Sequence, residues 1–329
     1  MGDPTIMTKP GRHCTARPKT RLTRFETLSA HELARFAAQR PLRAGSLIVT
    51  VFGDVVAARG GEVWLGSLIR LLEPFGLSER LVRTAVHRLV AEGWLESEKI
   101  GRQSYYRFSH TGASRFGIAA RKIYGPPQTD WDGKWSLVQF LRGPANRRER
   151  LKREFRWLGY TQIAPGLMAS PRRDCDALAA LRQGVDGSLM IDWVATTGGE
   201  TMPQALRELL EQGLRLAEVG TRYTAFIERF SPLHAALARL RKPDPRTSLL
   251  ARIQLVHEYR RAVLRDPRLP RELWPAHWPA QRAYDLGAAI YLRLVPASEY
   301  WIDRNLQAID GEMPPAGAGL AMRFGGSEA

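Results

Sequence analysis

The most informative polar side chains recur along one predicted helix. Ser78 is a good N-cap and Glu79 suits the first turn, so the pattern predicts a helix over Ser78–Gly93. At 100° per residue, one face of this helix is apolar. The opposite face carries Arg80, Arg83, Thr84 and His87, with Arg88 at its edge. Arginine can donate paired hydrogen bonds to guanine or phosphate, and threonine can meet a thymine methyl group.

A solvated helix surface is the alternative explanation of this polar face. The helix follows a short turn and precedes a predicted hairpin, which favours a helix that reads the major groove of DNA. We therefore expect DNA contacts from Ser78 at its start and from the five residues of the polar face.

The predicted hairpin adds a second set of cations. Leu95–Glu98 and Ser104–Phe108 have the residue types of strands, and a glycine between them allows a tight turn. Lys99 and Arg102 stand near the tip, where a cation suits the minor groove or a phosphate. Improved solubility is the alternative reason for these charges, and we favour DNA contact.

The charge balance agrees with a polyanionic partner. The 329 residues include 49 lysines and arginines against 33 acids, which is a formal net charge of +16. Such a charge is tolerated most easily beside a polyanion. A genome that encodes arginine in place of lysine would produce the same excess, so the charge alone does not decide. A further basic cluster, on the predicted helix Arg147–Gly159, is interpreted as a solvated face rather than a second anion site.

Motifs of enzymes and metal sites are incomplete. His257-Glu258 begins a zinc-protease pattern, but Arg261 stands where the second histidine is required. The sequence contains neither a phosphate-binding P-loop nor a dinucleotide fingerprint, and its seven histidines are scattered. A metal-dependent nuclease would need an acid near the strand Trp135–Leu141, which has none. We expect no catalytic residues, no metal, no cofactor and no enzymatic activity.

The expected compartment is the cytoplasm. No apolar run approaches the roughly 18 residues of a membrane span, and the first residues lack the apolar core of a secretory signal. The two cysteines, Cys14 and Cys175, lie far apart and cannot build a disulfide framework. These features predict a soluble protein of a reducing compartment, without a membrane partner.

The elements that must position these side chains predict an α+β multidomain protein. Two helices, a short turn, a third helix and a hairpin follow the plan of a winged helix-turn-helix. Alternating strands and helices come next, as in a ferredoxin-like domain, and the remainder is mainly helical. The predicted division is a basic, disordered tail (1–42), a winged helix DNA-binding domain (43–125), a ferredoxin-like middle domain (126–199), a mainly helical C-terminal domain (200–312) and a flexible tail (313–329).

The first of these segments has open alternatives. Its cations stand among threonines and prolines with few large apolar residues, so it buries too little surface to order itself. A misassigned start or a DNA-contacting arm would explain the same composition. Within it, Thr27–Gln39 is predicted to form one helix.

Three groups of short motifs are spread over most of residues 44–300. The first group is GLSERLVRTA at 76–85, EGWL at 92–95 and GRQSYY at 101–106, and the second is GY at 159–160 with PGL at 165–167. The third and most specific group is HEYR at 257–260, RDPRLP at 265–270, LWP at 273–275 and WP at 278–279. In these motifs the sequence resembles the PaaX family of bacterial repressors of phenylacetate catabolism.

The resemblance implies a regulator with a small-molecule switch. It implies a homodimeric repressor whose winged helices hold an imperfect inverted repeat in double-stranded DNA. It also implies an acyl-CoA inducer, phenylacetyl-CoA in the characterised setting, that releases the protein from its operator. The family's middle domain is similar to a CRISPR adaptation nuclease, without evident nuclease chemistry. The basic start and the Gly/Pro-rich end depart from the family pattern, which leaves the identity of the inducer open.

An acyl-CoA inducer needs cations for its phosphates and aromatic walls for its acyl group. The proline-rich connection and the helix before it offer both. The expected effector site is Arg260, Arg261, Arg265, Trp274 and Trp278. Ordinary packing is the alternative role of the two tryptophans. For the whole chain, a winged-helix regulator with another effector or none, and a metal-dependent nucleic-acid enzyme built on the middle domain, are the alternative functions.

Overall fold

The computed structural model describes residues 22–127, 131–141, 143–171, 173, 175–183, 190–196, 211 and 214–326. The first helix, α1 (Arg24–Ala37), begins with a capping box. The backbone N–H of Thr23 donates to Glu26 Oε2 over 2.6 Å, and the N–H of Glu26 donates to Thr23 Oγ1 over 3.2 Å. Phe25 and Phe36 of this helix are buried. The predicted disordered tail over 1–42 is therefore wrong for α1, and residues 1–21 lie outside the described residues.

The next segment carries three helices, three strands and a closing helix. In chain order they are α2 (Ala44–Val51), β1 (Glu62–Trp64), α3 (Leu65–Leu72), α4 (Glu79–Ala91), β2 (Leu95–Ile100), β3 (Gln103–Phe108) and α5 (His110–Tyr124). The strands form an antiparallel sheet of order β1-β3-β2. Helix α2 changes at Phe52 into a π-helical turn, Phe52–Val56.

A four-stranded sheet forms the centre of the middle segment. Its elements are β4 (Lys134–Phe140), α6 (Ala145–Trp157), β5 (Thr161–Ala164), β6 (Leu167–Ser170), α7 (Cys175–Gln183) and β7 (Met190–Thr196). The strand order is β5-β6-β4-β7, and every neighbouring pair is antiparallel. Side chains of both helices, including Phe155 and Leu178, pack on Val138 and Met168. Burying one face of each element in this way gives the segment its own core.

Three long helices dominate the last segment: α8 (Leu216–Ala238), α9 (Pro245–Val263) and α10 (Ala280–Asn305). Helix α9 starts at Asp244, whose carboxylate accepts the N–H of Thr247 over 2.8 Å, with proline at the first helical position. Its side chains are buried along most of its length. Among the described residues, no helix is both long and apolar enough to cross a membrane.

The predicted segments 43–125 and 200–312 share one apolar core. Leu47, Val82 and Val86 share one apolar cluster with Leu249 and Ile302 of the last segment. A three-helix unit with a small sheet buries little apolar surface by itself, so packing against α9 and α10 enlarges its core.

The predicted flexible tail over 313–329 is wrong as far as Gly326. Short strands β8 (Gln307–Ala308) and β9 (Gly311–Glu312) lead into two 3-10 turns that end at Gly325. Phe324 is buried and its ring lies 5.0 Å from that of Tyr291. Burial of this aromatic ring offsets the cost of ordering a segment rich in glycine and alanine. Residues 327–329 lie outside the described residues.

Candidate nucleic-acid interface

Helix α4 separates an apolar face from a polar one, as its sequence predicts. The hydroxyl of Ser78 accepts the N–H of Leu81 over 3.3 Å and so caps the helix. The apolar face, Val82, Ala85, Val86 and Leu89, is buried. The opposite face is exposed and carries Arg80, Arg83, Thr84, His87 and Arg88. The phasing of the helix is confirmed, and a row of hydrogen-bond donors faces solvent.

The charges on this face are loosely held. Arg83 Nε donates to Glu79 Oε1 over 2.8 Å, and Arg88 Nε donates to Glu92 Oε1 over 2.7 Å. The bond to Glu92 raises the pKa of Arg88, so the guanidinium is charged at any pH of interest. Exposed pairs four residues apart on a helix add little stability. Both arginines can therefore exchange these partners for a phosphate or a base.

The hairpin β2–β3 has exposed cations at its tip, whereas the cation in its body is paired with acids. Lys99 and Arg102 are exposed, and Gly101 at the turn has a φ of +59°. Below the tip, Arg107 donates to Glu96 over 2.7 Å and also lies 3.7 Å from Glu98. Acidic side chains thus line the body of the hairpin. A polyanion would be attracted to the tip and repelled from the strands below it.

Helix α4 and the hairpin are joined rigidly through Trp94. Its N–H donates to the carbonyl of Leu89 over 2.8 Å, and its carbonyl accepts the N–H of Ser109 over 3.1 Å. A Cβ at Gly112 would lie 2.1 Å from the Trp94 carbonyl oxygen, so only glycine permits this approach. The polar face of α4 and the hairpin tip therefore keep a set spacing.

The five predicted effector residues do not line one cavity among those described. Arg260 Nη1 donates to the Ser46 carbonyl over 2.9 Å and to Thr50 Oγ1 over 2.7 Å. Arg261 pairs with Glu258 at 3.1 Å, whereas Arg265 is exposed. Partial loss of solvent around its guanidinium lowers the pKa of Arg265, and the nearby positive charge of Arg222 lowers it further.

The two tryptophans lie elsewhere. Trp274 Nε1 donates to the Leu269 carbonyl over 2.8 Å, and its ring packs beside the middle sheet. Trp278 meets Tyr223 edge-on at 6.0 Å and lines a cleft of ≈ 640 Å³ with Arg215 and His277. Arg260 instead lines a groove of ≈ 580 Å³ between the start of α2 and α4. Proximity in sequence grouped residues that the fold distributes over different surfaces.

Sequence reasoning missed a buried polar cluster around Asp54, on the π-helical turn. The Asp54 carboxylate accepts from Arg252 Nε at 2.8 Å, from the Tyr124 hydroxyl at 2.8 Å and from the Tyr291 hydroxyl at 2.9 Å. Arg323 Nη1 also donates to it, over 3.0 Å. Burial raises the pKa of both tyrosines, which keeps their hydroxyl groups protonated as donors. The sequence did contain a signal for this cluster: Asp54 is a charged residue within the apolar run 46–58, and a buried charge requires partners.

The incomplete zinc-protease motif has a structural role. His257 is buried, its Nδ1 lies 3.0 Å from Thr50 Oγ1, and its ring meets Phe36 edge-on. Burial first, and then the positive charge of Arg260, lowers the pKa of His257 to about 3, so the ring is neutral. Within the described part of the chain, no three histidine, cysteine or acidic residues are grouped to hold a metal.

Comparisons with known proteins agree with this organisation. The chain matches family models described as PaaX-like protein over 43–112, PaaX protein central Cas2-like domain over 128–222 and PaaX-like protein C-terminal domain over 214–304. It is 38% identical over 288 residues, 87% of this chain and 91% of the relative, to the transcriptional repressor PaaX of Escherichia coli (strain K12). That relative is a regulator, in agreement with the prediction that the chain is not an enzyme.

A solved structure of an uncharacterized protein from Mycobacterium tuberculosis is 20% identical and has a TM-score of 0.45. The match covers 77% of this chain and 98% of the other, and a similarity this low carries no argument. The family models and the Escherichia coli relative suffice to assign the chain: it belongs to the PaaX-like family.

Proposed function

We propose that this protein is a sequence-specific DNA-binding repressor of transcription that controls an aromatic, phenylacetate-type catabolic operon. One observation carries the proposal: the exposed donor face of α4 stands beside a hairpin with a cationic tip. The net charge of +16 supports attraction to DNA. The relative in Escherichia coli, itself a transcriptional repressor, supports the same role.

The arrangement of elements supports a winged helix-turn-helix as the reading head. In that plan α4 enters the major groove, and β2–β3 is the wing. The β-α-β-β-α-β order of the middle segment, with its antiparallel sheet, supports a ferredoxin-like domain there. The expected partner is double-stranded DNA with an inverted repeat, held by a homodimer whose half-sites lie one helical turn or a multiple of it apart.

Each side chain has a role that its surroundings allow. Arg83 and Arg88 leave their weak pairs with glutamates to bond guanine or phosphate. Ser78 lies at the helix N-terminus, where donors face a phosphate. Lys99 and Arg102 contact the backbone or the minor groove from the hairpin tip. Arg80, Thr84 and His87 complete the reading face.

The proposed inducer is an acyl-CoA such as phenylacetyl-CoA. Release requires that the inducer binds the form incompetent for DNA more tightly than the competent one. A hundredfold preference is worth about 2.7 kcal/mol. The five residues expected from sequence, Arg260, Arg261, Arg265, Trp274 and Trp278, remain a prediction for this site.

The test is DNA binding of the full chain at fixed salt. Operator fragments come from the promoter upstream of its own gene, and random DNA of equal length is the reference. Arg83→Ala is expected to lose about 1–3 kcal/mol on the operator and to relax one base position. Arg282→Ala, which removes an exposed arginine on α10, is the matched control and should bind as the wild type does.

Equal weakening of Arg83→Ala on operator and random DNA would reduce Arg83 to a phosphate contact. A wild-type protein without preference for any upstream fragment would contradict the repressor proposal.

A further inference from the structure

A groove between α2 and α4 combines cations from three separate parts of the chain. Arg43 precedes α2, Arg88 lies on α4 and Arg260 lies in the last turn of α9, and all three line the same space of ≈ 580 Å³. Glu92 is the one acid in its lining, and it is already bonded to Arg88. The groove is therefore positive, although no single stretch of sequence is responsible for that charge.

Arg260 differs from the arginines that the fold pairs with a carboxylate. Arg252 and Arg323 pair with Asp54, and Arg229 pairs with Glu32. Arg260 donates to two neutral oxygens, the Ser46 carbonyl and the Thr50 hydroxyl, and no carboxylate of the described residues pairs with it. A half-buried cation without a counter-charge is costly to keep. An anionic ligand in the groove would offset that cost.

The inner end of the groove is apolar. Val49, Trp94 and Arg260 also line a smaller pocket behind it, whose other walls include Phe116, Ile123 and Leu264. That pocket holds ≈ 30 Å³, which is room for about one water and far less than the roughly 150 Å³ cavity that accepts benzene. A ring that enters it must move a wall, and the walls are Trp94 and helix α5.

The cleft beside Trp278 is a weaker candidate for an anion. Glu211 and Glu218 line it, and its arginine, Arg215, is already paired with Glu218. Two carboxylates repel a polyanion, and the paired arginine offers it little. The cleft beside Trp278 and the groove between α2 and α4 are similar in size, but only the groove has a lining whose charge favours an anion.

We propose that the groove between α2 and α4 binds an amphipathic organic anion, with its charged part at Arg43, Arg88 and Arg260 and its apolar part beside Trp94. In identifying this ligand with the acyl-CoA effector, the inference rests on the proposed function. Thr84 and Arg88 belong both to the groove and to the polar face of α4, so ligand and DNA compete for the same helix. Displacement of Trp94 would also shift α4 against the hairpin.

Gly45 allows a sharp test, because it lines the groove and has room for a side chain. A Cβ there would have its nearest neighbour, a methyl group of Leu89, at 3.9 Å. Glutamate in the first turn of α2 favours the helix, so Gly45→Glu should fold while placing a carboxylate among the three arginines. Gly45→Ala is the matched control without charge, and Thr224→Glu adds the same charge to the cleft beside Trp278.

The experiment is calorimetric titration of the full chain, without DNA, with phenylacetyl-CoA and separately with anilinonaphthalene sulfonate, an amphipathic anion unrelated to CoA. We expect Gly45→Glu to weaken binding at least about tenfold, and Gly45→Ala and Thr224→Glu to stay within about twofold of the wild type. If only the dye binds, and Gly45→Glu abolishes its binding, the result supports the groove as an anion site and contradicts an acyl-CoA as the effector.

Three results would overturn the groove. The first is wild-type affinity for both probes in Gly45→Glu. The second is loss of binding in Thr224→Glu, which would move the site to the cleft beside Trp278. The third is a wild-type protein that binds neither probe. In that case weaker DNA binding by Gly45→Glu would assign the groove to the DNA interface.

Discussion

Arginine has two different roles in two regions of this molecule. On α4, Arg83 and Arg88 are exposed, and each pairs with one glutamate four residues away. Around Asp54, the side chain of Arg252 is fully buried. It donates to the carboxylate and the backbone carbonyl of Asp54 and to the carboxylate of Glu299. An exposed pair is broken at almost no cost, whereas a buried charge that loses its partner is heavily penalised. The exposed arginines on α4 can therefore exchange their glutamates for another anion, whereas the buried arginine keeps its partners as long as the protein is folded.

The buried network around Asp54 also helps to fix the position of helix α4. Asp54 lies on the π-helical turn that continues α2, while its partners come from α5, α9, α10 and the C-terminal turn. Helix α2 packs on α4 through the shared apolar cluster. The network thus ties the segment that carries the polar face to α9, α10 and the C-terminal turn.

Loss of a buried arginine should have the largest effect. Arg252→Met leaves Asp54 and Glu299 without their main cation, and we expect a loss of about 3–5 kcal/mol in the free energy of unfolding. Urea denaturation followed by circular dichroism measures it. Arg83→Met, the matched exposed variant, should leave stability unchanged. Similar urea midpoints for the two variants would contradict the difference between the buried and the exposed arginines.

The burial of His257, together with the positive charge of Arg260 near it, should appear as a pH dependence of the free energy of unfolding. The pKa of His257 is lowered to about 3, whereas the unfolded histidine titrates near 6.5. The unfolded chain therefore takes up a proton first as pH falls. The stability that neutral His257 contributes is present above about pH 6.5 and is lost below it.

Between pH 7 and pH 5, the wild type should lose about 2 kcal/mol more of its unfolding free energy than His257→Gln. Denaturant titrations at the two pH values provide the comparison. Parallel losses in both proteins would mean that neither burial nor the nearby arginines lower the pKa of His257.

The smallest effect is expected for a variant at the hairpin tip, and it concerns the salt dependence of DNA binding. Arg102→Ala should lower DNA affinity and reduce the slope of log K against log salt by about one per bound subunit. Arg107→Ala, a few residues along the same hairpin, should change the slope less because Arg107 is held by Glu96. Equal slopes for Arg102→Ala and the wild type would remove the hairpin tip from the DNA interface.

Local patterns in the sequence were sufficient to predict helix α4 and the hairpin that follows it. The N-cap at Ser78, the spacing of Val82, Val86 and Leu89, and a glycine at the hairpin turn act within a few residues, so the phasing of α4 follows from them directly. A helix close to α1 was predicted over Thr27–Gln39, but the segment that holds it was predicted to be disordered. The order of that segment and of the C-terminal turn depends on the burial of Phe25 and Phe324. The partners of these rings are distant in sequence.

By itself, the amino-acid sequence determined the family, the polar face of α4 and the excess of positive charge. The family follows from the resemblance of motifs, whereas the polar face and the charge are properties of short-range periodicity and composition. Only the tertiary structure decided which arginines are neutralised and which remain available, because that depends on carboxylates brought from elsewhere in the chain. Asp54 neutralises Arg252, while Arg260 meets a carbonyl and a hydroxyl beside Arg43 and Arg88. Electrostatic energy depends on distance in space and on burial, and neither can be read along the chain.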